Sequence, residues 1–293
     1  MQVFVQLLIT GVAMGFIYAL VGIEYTLIWN STGLLNFSHD KFILFGAYMF
    51  AGSYVLSLGL PPVLAILCTV LTMFLLGMVS AFAIFNPLSR LSTNLFAVIG
   101  TVILGRIITE CVRLIWGPLP FTLDNFLRGS FHLGPIVVSK AHIVIIVVCS
   151  IITAGLQIFF KTTKMGKAMR ACSEDKAAAQ LMGIDVNRTI SMTFAIGSAL
   201  AAIAGVLFLS TYTSLTPTTG SMPGIKAFTA AVFGGIGSIP GALLGGLLLG
   251  VIETFARAYI STELSTAIVF GVLIIVLLVK PAGLLGKTVR EKV

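Results

Sequence analysis

Long apolar stretches separated by short polar interruptions dominate the pattern along the chain. None shows the strict alternation of a β-strand, and several reach the roughly 20 residues that an α-helix needs to cross a bilayer. Because backbone polar groups in hydrocarbon must bond internally, such runs predict helices. The predicted apolar segments are 3–29, 41–59, 62–85, 94–116, 139–160, 189–213, a short Gly-rich 224–237, 239–259 and 264–280. The predicted fold class is all-α, a polytopic transmembrane bundle of about eight spans.

Composition excludes an ordinary soluble protein. Of the 293 residues, 58% are hydrophobic and only 10% are charged, whereas globular chains carry about 25% charged residues. The first basic residue is Lys41, so the basic region of a cleavable signal peptide is missing and the opening run is expected to stay as a membrane helix. The scattered cysteines give no metal or disulfide spacing and are expected to be free thiols; they are Cys68, Cys111, Cys149 and Cys172.

Basic residues set the expected orientation, and the net charge of +8 reflects cytoplasmic loops rather than nucleic-acid binding. One cluster comprises Lys161, Lys164, Lys167, Arg170, Lys176 and Arg188, and a second comprises Lys280, Lys287, Arg290 and Lys292. The positive-inside rule places both in the cytoplasm, which requires 224–237 to return or to cross as a short broken element. The N-terminus and the 117–138 loop are then outside, and Arg90 is inside.

Two polar or Gly/Pro-rich interruptions stand in opposite halves of the chain. They are "STGLLNFSHDKF" (31–42) and "TPTTGSMPGIKAFTAAVFGGIGSIPGALLGG" (216–246). Unwound backbone at membrane depth is tolerated only inside protein or beside water, so paired interruptions indicate a transport pathway. The alternative is a pair of ordinary surface turns.

Glycines spaced four residues apart predict close helix contacts. The pattern occurs in "GVAMG" (11–15), "GALLG" (241–245) and "GLLLG" (246–250). Such spacing makes a smooth helix face that another backbone can approach. The three motifs together predict a tightly packed bundle and are also compatible with a subunit contact.

Several charged residues fall within apolar segments, where they usually contact a cavity or a partner. Glu24 is interpreted either as lining of the substrate path or as a snorkelling or protonated carboxyl. Arg106, Glu110 and Arg113 share one helix face at i,i+4 and i,i+3 spacing, which favours a self-neutralising structural trio over substrate contact. His39 lies beside Asp40, but no nearby histidine or carboxylate has the spacing of a metal site or a proton relay.

The segment 164–188 is charged and helix-forming. Alanines with Met169, Leu181 and Met182 favour a helix, which Ser173 is expected to cap so that it begins at Glu174. Gly183 suits the left-handed position after its end, and Asp185 is expected to cap the next span. A short helix of this kind can dock into a groove on a soluble partner, although an ordinary positive-inside loop is the alternative.

No nucleophile elbow, Walker motif or Gly-rich phosphate loop occurs in the sequence, so the chain has no visible means of hydrolysing ATP. No cofactor or metal motif is recognised. The chain is therefore expected to be a transport subunit rather than an enzyme.

Five stretches resemble branched-chain amino-acid permeases of the ABC importer class. "GKAMRACSEDKAAAQLMGIDVNR" (166–188) resembles their cytoplasmic coupling loop, and "TGLLNFSHDKFILFGAY" (32–48) resembles their signature after the first span. "GIKAFTAAVFGGIGSIPGALLGGLLLGVIE" (224–253) is similar to their Gly-rich segment, and "GFIYALVGI" (15–23) and "KPAGLLG" (280–286) match as well. The resemblance covers nearly the whole chain in the family's order.

Departures from the family pattern concern the substrate and the coupling contacts. Asp40-Lys41 stands where the family usually has Gly-Glu, and Glu24-Tyr25 replaces a small or aliphatic pair. Ala177 occupies the Glu position of the usual Glu-Ala-Ala. Related permeases carry urea, short amides or other amino acids, so these changes leave the substrate open.

The resemblance implies a single permease domain over 1–293 with a coupling loop at about 161–188. The expected partners are a second, dissimilar permease, two cytoplasmic ATP-binding subunits that hydrolyse ATP, an extracytoplasmic substrate-binding protein and the bilayer of the bacterial inner membrane. Branched-chain amino acids, or a small polar solute such as urea or an amide, would be translocated by alternating access.

The resemblance also implies two groups of functional residues. Expected lining residues of the path are Asn36, Ser38, His39, Glu24, Gly234, Gly235 and Gly237. Expected ATPase contacts are Arg170, Glu174, Ala178, Leu181, Met182 and Gly183. The alternative function is a stand-alone channel or ion-coupled carrier that uses Glu24 or the Arg106–Glu110–Arg113 trio. An intramembrane enzyme would need a nucleophile–base pair that the sequence does not show.

Overall fold

The computed structural model describes residues 2–89, 93, 95–123, 127, 129–133, 136–212, 214–218 and 220–286. In chain order its helices are α1 (Gln2–Thr32), α2 (His39–Tyr48), α3 (Pro62–Ser80), α4 (Asn86–Leu88), α5 (Leu95–Trp116), α6 (Lys140–Thr162), α7 (Lys164–Glu174), α8 (Lys176–Leu181), α9 (Val186–Thr211), α10 (Ser221–Gly234), α11 (Ile239–Tyr259) and α12 (Ser265–Val279). Four of the basic residues predicted to lie on the cytoplasmic side are outside the described residues; they are Arg90, Lys287, Arg290 and Lys292.

The all-α transmembrane prediction is confirmed. Within the described residues, six helices are long and apolar enough to cross a membrane, and α12 is a shorter apolar helix. One of the six, Pro62–Leu88, joins α3 to α4 through the π-helical segment Ala81–Phe85. Likewise α2 continues directly into the π-helical segment Met49–Ser57. The predicted apolar segment 41–59 is therefore one continuous helix whose second half is π-helical.

Within the described residues, four short strands interrupt the helical chain, a detail that the all-α prediction omitted. They are β1 (Phe121–Thr122), β2 (Ser130–Leu133), β3 (Ile136–Ser139) and β4 (Ser214–Leu215). β1 pairs antiparallel with β4, and β2 pairs antiparallel with β3. β2 and β3 lie at the end of the loop predicted at 117–138, and β3 extends one residue beyond it to Ser139.

The chain divides into two compact units, and α1, α6 and α10 each contribute to both. Unit 1 comprises the described parts of 1–26, 128–153 and 226–293. In it, α1 and α11 approach through the predicted glycines. A Cβ on Gly250 would lie 2.3 Å from the Cα of Gly15. The close approach predicted from "GVAMG" and "GLLLG" is thereby confirmed.

Unit 2 comprises 27–127 and 154–225, and α9 is its central helix. Most of α9 is buried, and α2 and α3 pack against it. A Cβ on Gly205 would lie 2.4 Å from the carbonyl oxygen of Ile43, and one on Gly77 would lie 2.6 Å from that of Phe194. Small residues at these points let the helices approach at backbone distance.

The charged segment folds as two short helices rather than one. The predicted cap at Ser173 is wrong, because α7 continues to Glu174 and the side chain of Asp175 caps α8 by accepting from the Ala178 N–H at 3.0 Å. An aspartate caps as well as a serine, and here the chain turns one residue after α7 ends. The predicted cap at Asp185 is confirmed, since its carboxylate accepts from the Arg188 N–H at 3.0 Å.

Candidate functional site

The first polar interruption forms the turn between α1 and α2 in unit 2. α1 ends at Thr32, and Gly33 has a φ of +67°, a left-handed conformation that glycine adopts without a steric penalty. The Asn36 Oδ1 atom accepts from the N–H of Ser38 at 2.9 Å and from its hydroxyl at 2.7 Å. Asn36, Ser38 and His39 are all at most 1% exposed. Asn36 and Ser38 therefore stabilise the turn that begins α2.

A cavity of about 230 Å³ lies beside this turn, within unit 2. Its walls come from the start of α2, from one face of α5 and from the residues around the start of α10. The lining residues are Phe37, Asp40, Lys41, Val102, Gly105, Arg106, Thr109, Arg113, Pro217, Thr218 and Ser221. The cavity thus joins residues of both interruptions that the sequence indicated.

The cavity is electropositive, with three basic side chains and one carboxylate in its lining. The Lys41 ammonium lies 2.7 Å from the Asp40 carboxylate and donates to the Ser221 hydroxyl at 2.6 Å. Arg113 pairs with Glu110 at 2.9 Å. Arg106 has no hydrogen-bond or ion-pair partner among the described residues. The predicted self-neutralising trio is therefore a pair, and its third member lines the cavity.

The structure adds Phe37, Asp40 and Lys41 to the candidate lining, whereas the sequence pattern pointed to their neighbours Asn36, Ser38 and His39. A signal for this assignment existed in the sequence. Asp40 and Lys41 follow Phe37 at i+3 and i+4, a spacing that in a helix would indicate one face, although in the structure Phe37 lies in the turn before α2. The residues between them, Ser38 and His39, are fully buried.

The remaining predicted lining residues belong to unit 1. Glu24 is fully buried in α1. Gly235 and Gly237 have φ values of +107° and +96° and form the turn between α10 and α11. A Cβ on Gly234 would lie 1.9 Å from the carbonyl oxygen of Gly241, so this glycine is required for the close approach of α10 and α11. That these residues line a substrate path stays a prediction.

A buried ionic cluster in unit 1 was not anticipated from the sequence. The Glu253 carboxylate accepts from the Lys226 ammonium at 2.6 Å and from the Tyr18 hydroxyl at 2.8 Å, and Arg257 donates to it as well. Glu253 is 3% exposed and Lys226 is 5% exposed. The sequence did contain a signal for this cluster. Glu253 is a charged residue inside the apolar α11, and Arg257 follows it at i+4 on the same helix face.

The residues predicted to contact an ATPase subunit lie in α7, in α8 and directly after α8. All six predicted contact residues are exposed; they are Arg170, Glu174, Ala178, Leu181, Met182 and Gly183. Leu181 is 88% exposed and Met182 is 83% exposed. Gly183 has the predicted left-handed conformation, with a φ of +83°, and the chain there closes α8 through an Ile184 N–H bond to the Ala179 carbonyl. Two apolar side chains thus stand at the tip of a charged segment.

Lys176 connects α8 to the end of α1 within unit 2. Its ammonium donates to the carbonyl of Thr32, one of the last α1 carbonyls, which have no partner inside the helix. A second cavity of about 270 Å³ lies at this contact, and Cys172 and Lys176 are among its lining residues. Burial lowers the pKa of Lys176, so this charged contact is lost at a lower pH than for an ordinary lysine.

The thiol of Cys172 reports on this contact. Burial raises its pKa, and a hydrogen bond with Thr189 and the charge of Lys176 partly offset the rise. Lys176→Met is expected to raise the pKa further, because it removes a charge that stabilises the thiolate. With the other three cysteines replaced by alanine, maleimide labelling across pH should show a midpoint above that of a free thiol, and a higher midpoint still in Lys176→Met.

The matched control is Lys167→Met, which removes an exposed lysine from α7. The pH midpoint of labelling is the quantity compared. A change in access to the thiol alters the rate of labelling at every pH, but it does not shift this midpoint. Equal midpoints for Lys176→Met and Lys167→Met would contradict the placement of the Lys176 ammonium near the Cys172 thiol.

Comparisons with known proteins identify the family. The profile of the family described as "Branched-chain amino acid transport system / permease component" matches residues 7–277. The high-affinity branched-chain amino acid transport system permease protein LivH of Salmonella typhimurium is 38% identical, over 99% of this chain and 98% of that protein. The corresponding permease protein BraD of Pseudomonas aeruginosa is 37% identical, again over 99% of this chain and 98% of that protein.

More distant relatives extend the similarity. The probable branched-chain amino acid transport permease protein LivH of Methanocaldococcus jannaschii is 28% identical, over 91% of this chain and 88% of that protein. No solved structure gives a significant match. The match over almost the entire length confirms the resemblance found in the sequence motifs, and the chain belongs to the family of branched-chain amino acid transport system permease components.

Proposed function

We propose that this multi-pass membrane protein is one permease subunit of an ATP-driven importer that carries branched-chain amino acids across a bacterial inner membrane. Its proposed partners are a second, dissimilar permease, two cytoplasmic ATP-binding subunits that hydrolyse ATP and an extracytoplasmic substrate-binding protein. The entire chain, 1–293, would form one transmembrane permease domain. Near-complete coverage of relatives named as branched-chain amino acid permeases supports the substrate class.

The observation that carries the coupling role is the exposed apolar tip of α8. Leu181 and Met182 are among the most exposed large apolar side chains of the described residues, and they end a segment whose other exposed residues are mostly charged. Exposed apolar side chains with a polar rim are typical of interaction sites. A short helix with such a tip fits a groove on an ATPase subunit.

A physical connection leads from α8 towards the basic cavity of unit 2. The Lys176–Thr32 contact ties the start of α8 to the end of α1. The chain then passes through Gly33 and the Asn36–Ser38 turn into α2, whose first residues line the cavity. In the proposed mechanism, closure of the ATPases displaces α7 and α8, and this connection moves the cavity walls during alternating access.

Met182→Glu is expected to release the ATPase from the detergent-solubilised complex. It places a charge at the centre of the proposed contact, and loss of a buried apolar anchor at an interface costs about 2 kcal/mol or more, which is at least about tenfold in affinity. Co-purification of the ATPase with the tagged permease measures the effect.

The matched control is Gln180→Glu, which adds the same charge at another exposed position of α8 without removing an apolar side chain. Retention of the ATPase by both variants at the level of the unmodified chain would argue against α8 as the coupling helix.

Family membership does not favour the stand-alone channel or ion-coupled carrier. The two functions differ in one measurement on proteoliposomes. The proposed importer takes up leucine only when the ATPase subunits, ATP and the substrate-binding protein are present. Uptake by the permease alone, driven by a proton or sodium gradient, would overturn the proposal.

A further inference from the structure

We propose that the basic cavity of unit 2 binds the α-carboxylate of the transported amino acid, with Arg106 as its main contact. This inference rests on the proposed function, because it assigns the substrate group that the cavity receives. It makes Arg106 a substrate-binding residue.

Arg106 occupies the middle of α5, where a charged side chain is costly unless it meets a partner or water. Its neighbours in the cavity are already engaged, Lys41 with Asp40 and Ser221, and Arg113 with Glu110. Arg106 alone among these three cations has no partner in the described residues. A guanidinium presents a rigid fork of donors that matches a carboxylate, so it is the group best suited to hold one.

The surroundings of Arg106 strengthen the attraction for an anion. The lining contains three basic side chains against the single carboxylate of Asp40. The first turns of α2 and α10 also border the cavity through Lys41 and Ser221. Helix N-termini carry partial positive charge and favour bound anions. All of these contributions act on the same small volume.

The size and walls of the cavity suit an amino acid with an apolar side chain. Its 230 Å³ corresponds to about eight water molecules at roughly 30 Å³ each, which admits a single small solute. Phe37, Val102 and Pro217 supply apolar wall surface next to the basic groups. A zwitterion with an aliphatic side chain meets both chemistries, whereas urea has no carboxylate for Arg106.

The charge of the cavity can be measured without transport. Thr218 is an exposed lining residue, so Thr218→Cys in a chain without other cysteines places a thiol at the cavity. An anionic methanethiosulfonate should modify it about tenfold faster than a cationic one, after correction for their rates with free cysteine, because the cavity attracts anions. Arg106→Gln should reduce this preference several-fold. Equal rates for the two reagents before and after Arg106→Gln would overturn the inference.

Ligand protection tests the carboxylate directly. In the assembled complex of permeases and ATPases that carries Thr218→Cys, L-leucine should slow the labelling, and leucinamide, which has the same side chain without the carboxylate, should not. Arg106→Gln should abolish protection by leucine, and Arg106→Lys should restore part of it because the charge returns without the fork. Equal protection by leucine and leucinamide, or the absence of protection by leucine, overturns the inference.

Uptake of leucine by the unmodified complex separates this inference from the proposed function. If that complex imports leucine and the labelling results are negative, the carboxylate site is wrong and the importer function stands. If that complex imports no leucine, the proposed function fails and the inference fails with it. Ile107→Ala, at an exposed α5 residue outside the cavity lining, is the matched control and should leave uptake and protection unchanged.

Discussion

Glu253→Ala is expected to destabilise the permease by about 3–5 kcal/mol, the usual cost of removing one member of a buried ion pair. The substitution leaves the Lys226 ammonium, which is 5% exposed, without the carboxylate 2.6 Å away. It also removes the acceptor of the Tyr18 hydroxyl and of Arg257. Thermal unfolding in detergent should show a Tm lower by roughly 5–10 °C, on the scale of a few degrees per kcal/mol.

Two variants make this result specific to the cluster. Glu263→Ala removes the same kind of side chain from an exposed position, and it should change the Tm little. Combining Glu253→Leu with Lys226→Met removes both charges of the pair, and it should recover much of the lost stability because no uncompensated ammonium remains in the pair. A Tm for Glu253→Ala equal to that of Glu263→Ala would show that the cluster contributes nothing to the fold.

Gly250→Ala is expected to destabilise unit 1 by about 1–3 kcal/mol, as overpacking in a tight contact does. The added Cβ would lie 2.3 Å from the Cα of Gly15 and 2.6 Å from the carbonyl oxygen of Gly11. These are backbone atoms, so α1 and α11 must move apart. Alanine is favoured over glycine in a helix by about 1 kcal/mol, and we expect the clash with backbone atoms to outweigh this gain. The measurement is again the Tm in detergent.

The matched control is Gly271→Ala in α12, where the added Cβ would meet no atom within 4 Å. The same change of residue should there leave the Tm unchanged or raise it slightly, because only the helix propensity acts. Opposite signs at the two glycines would establish the close α1–α11 contact. A rise in Tm for Gly250→Ala would contradict it.

The helices and several of their ends were predictable from the sequence. Apolar runs of membrane length dictate helices because hydrocarbon offers no partner for backbone groups. The end of α8 at Gly183 and the start of α9 at Asp185 also follow from local chemistry. A left-handed residue and a side-chain acceptor act within a few residues of chain. The neighbouring cap was wrongly predicted at Ser173 because Asp175, two residues later, satisfies the same condition and is the actual cap.

The candidate site was only partly predictable. The interruption at 31–42 pointed to a segment that borders the basic cavity, but the lining side chains depend on which face of α2 packs inward. That choice follows from contacts with α5 and α9, far away in the sequence. The same holds for Arg106, whose i,i+4 spacing to Glu110 suggested a pair that the structure does not form. Local spacing allows an ion pair, and the surrounding packing decides whether it exists.

The sequence by itself therefore determined the membrane class, the helices, the glycine contacts and, through motif order, the family of this protein. Only the tertiary structure showed that Lys226 lies beside Glu253, that Lys176 binds the end of α1, and that Arg106 lines a cavity with no ionic partner among the described residues. The physical reason is the separation along the chain over which each interaction acts. Hydrophobicity, capping and glycine conformation act over one or two helical turns, whereas these three arrangements join residues from separate helices and depend on how those helices pack.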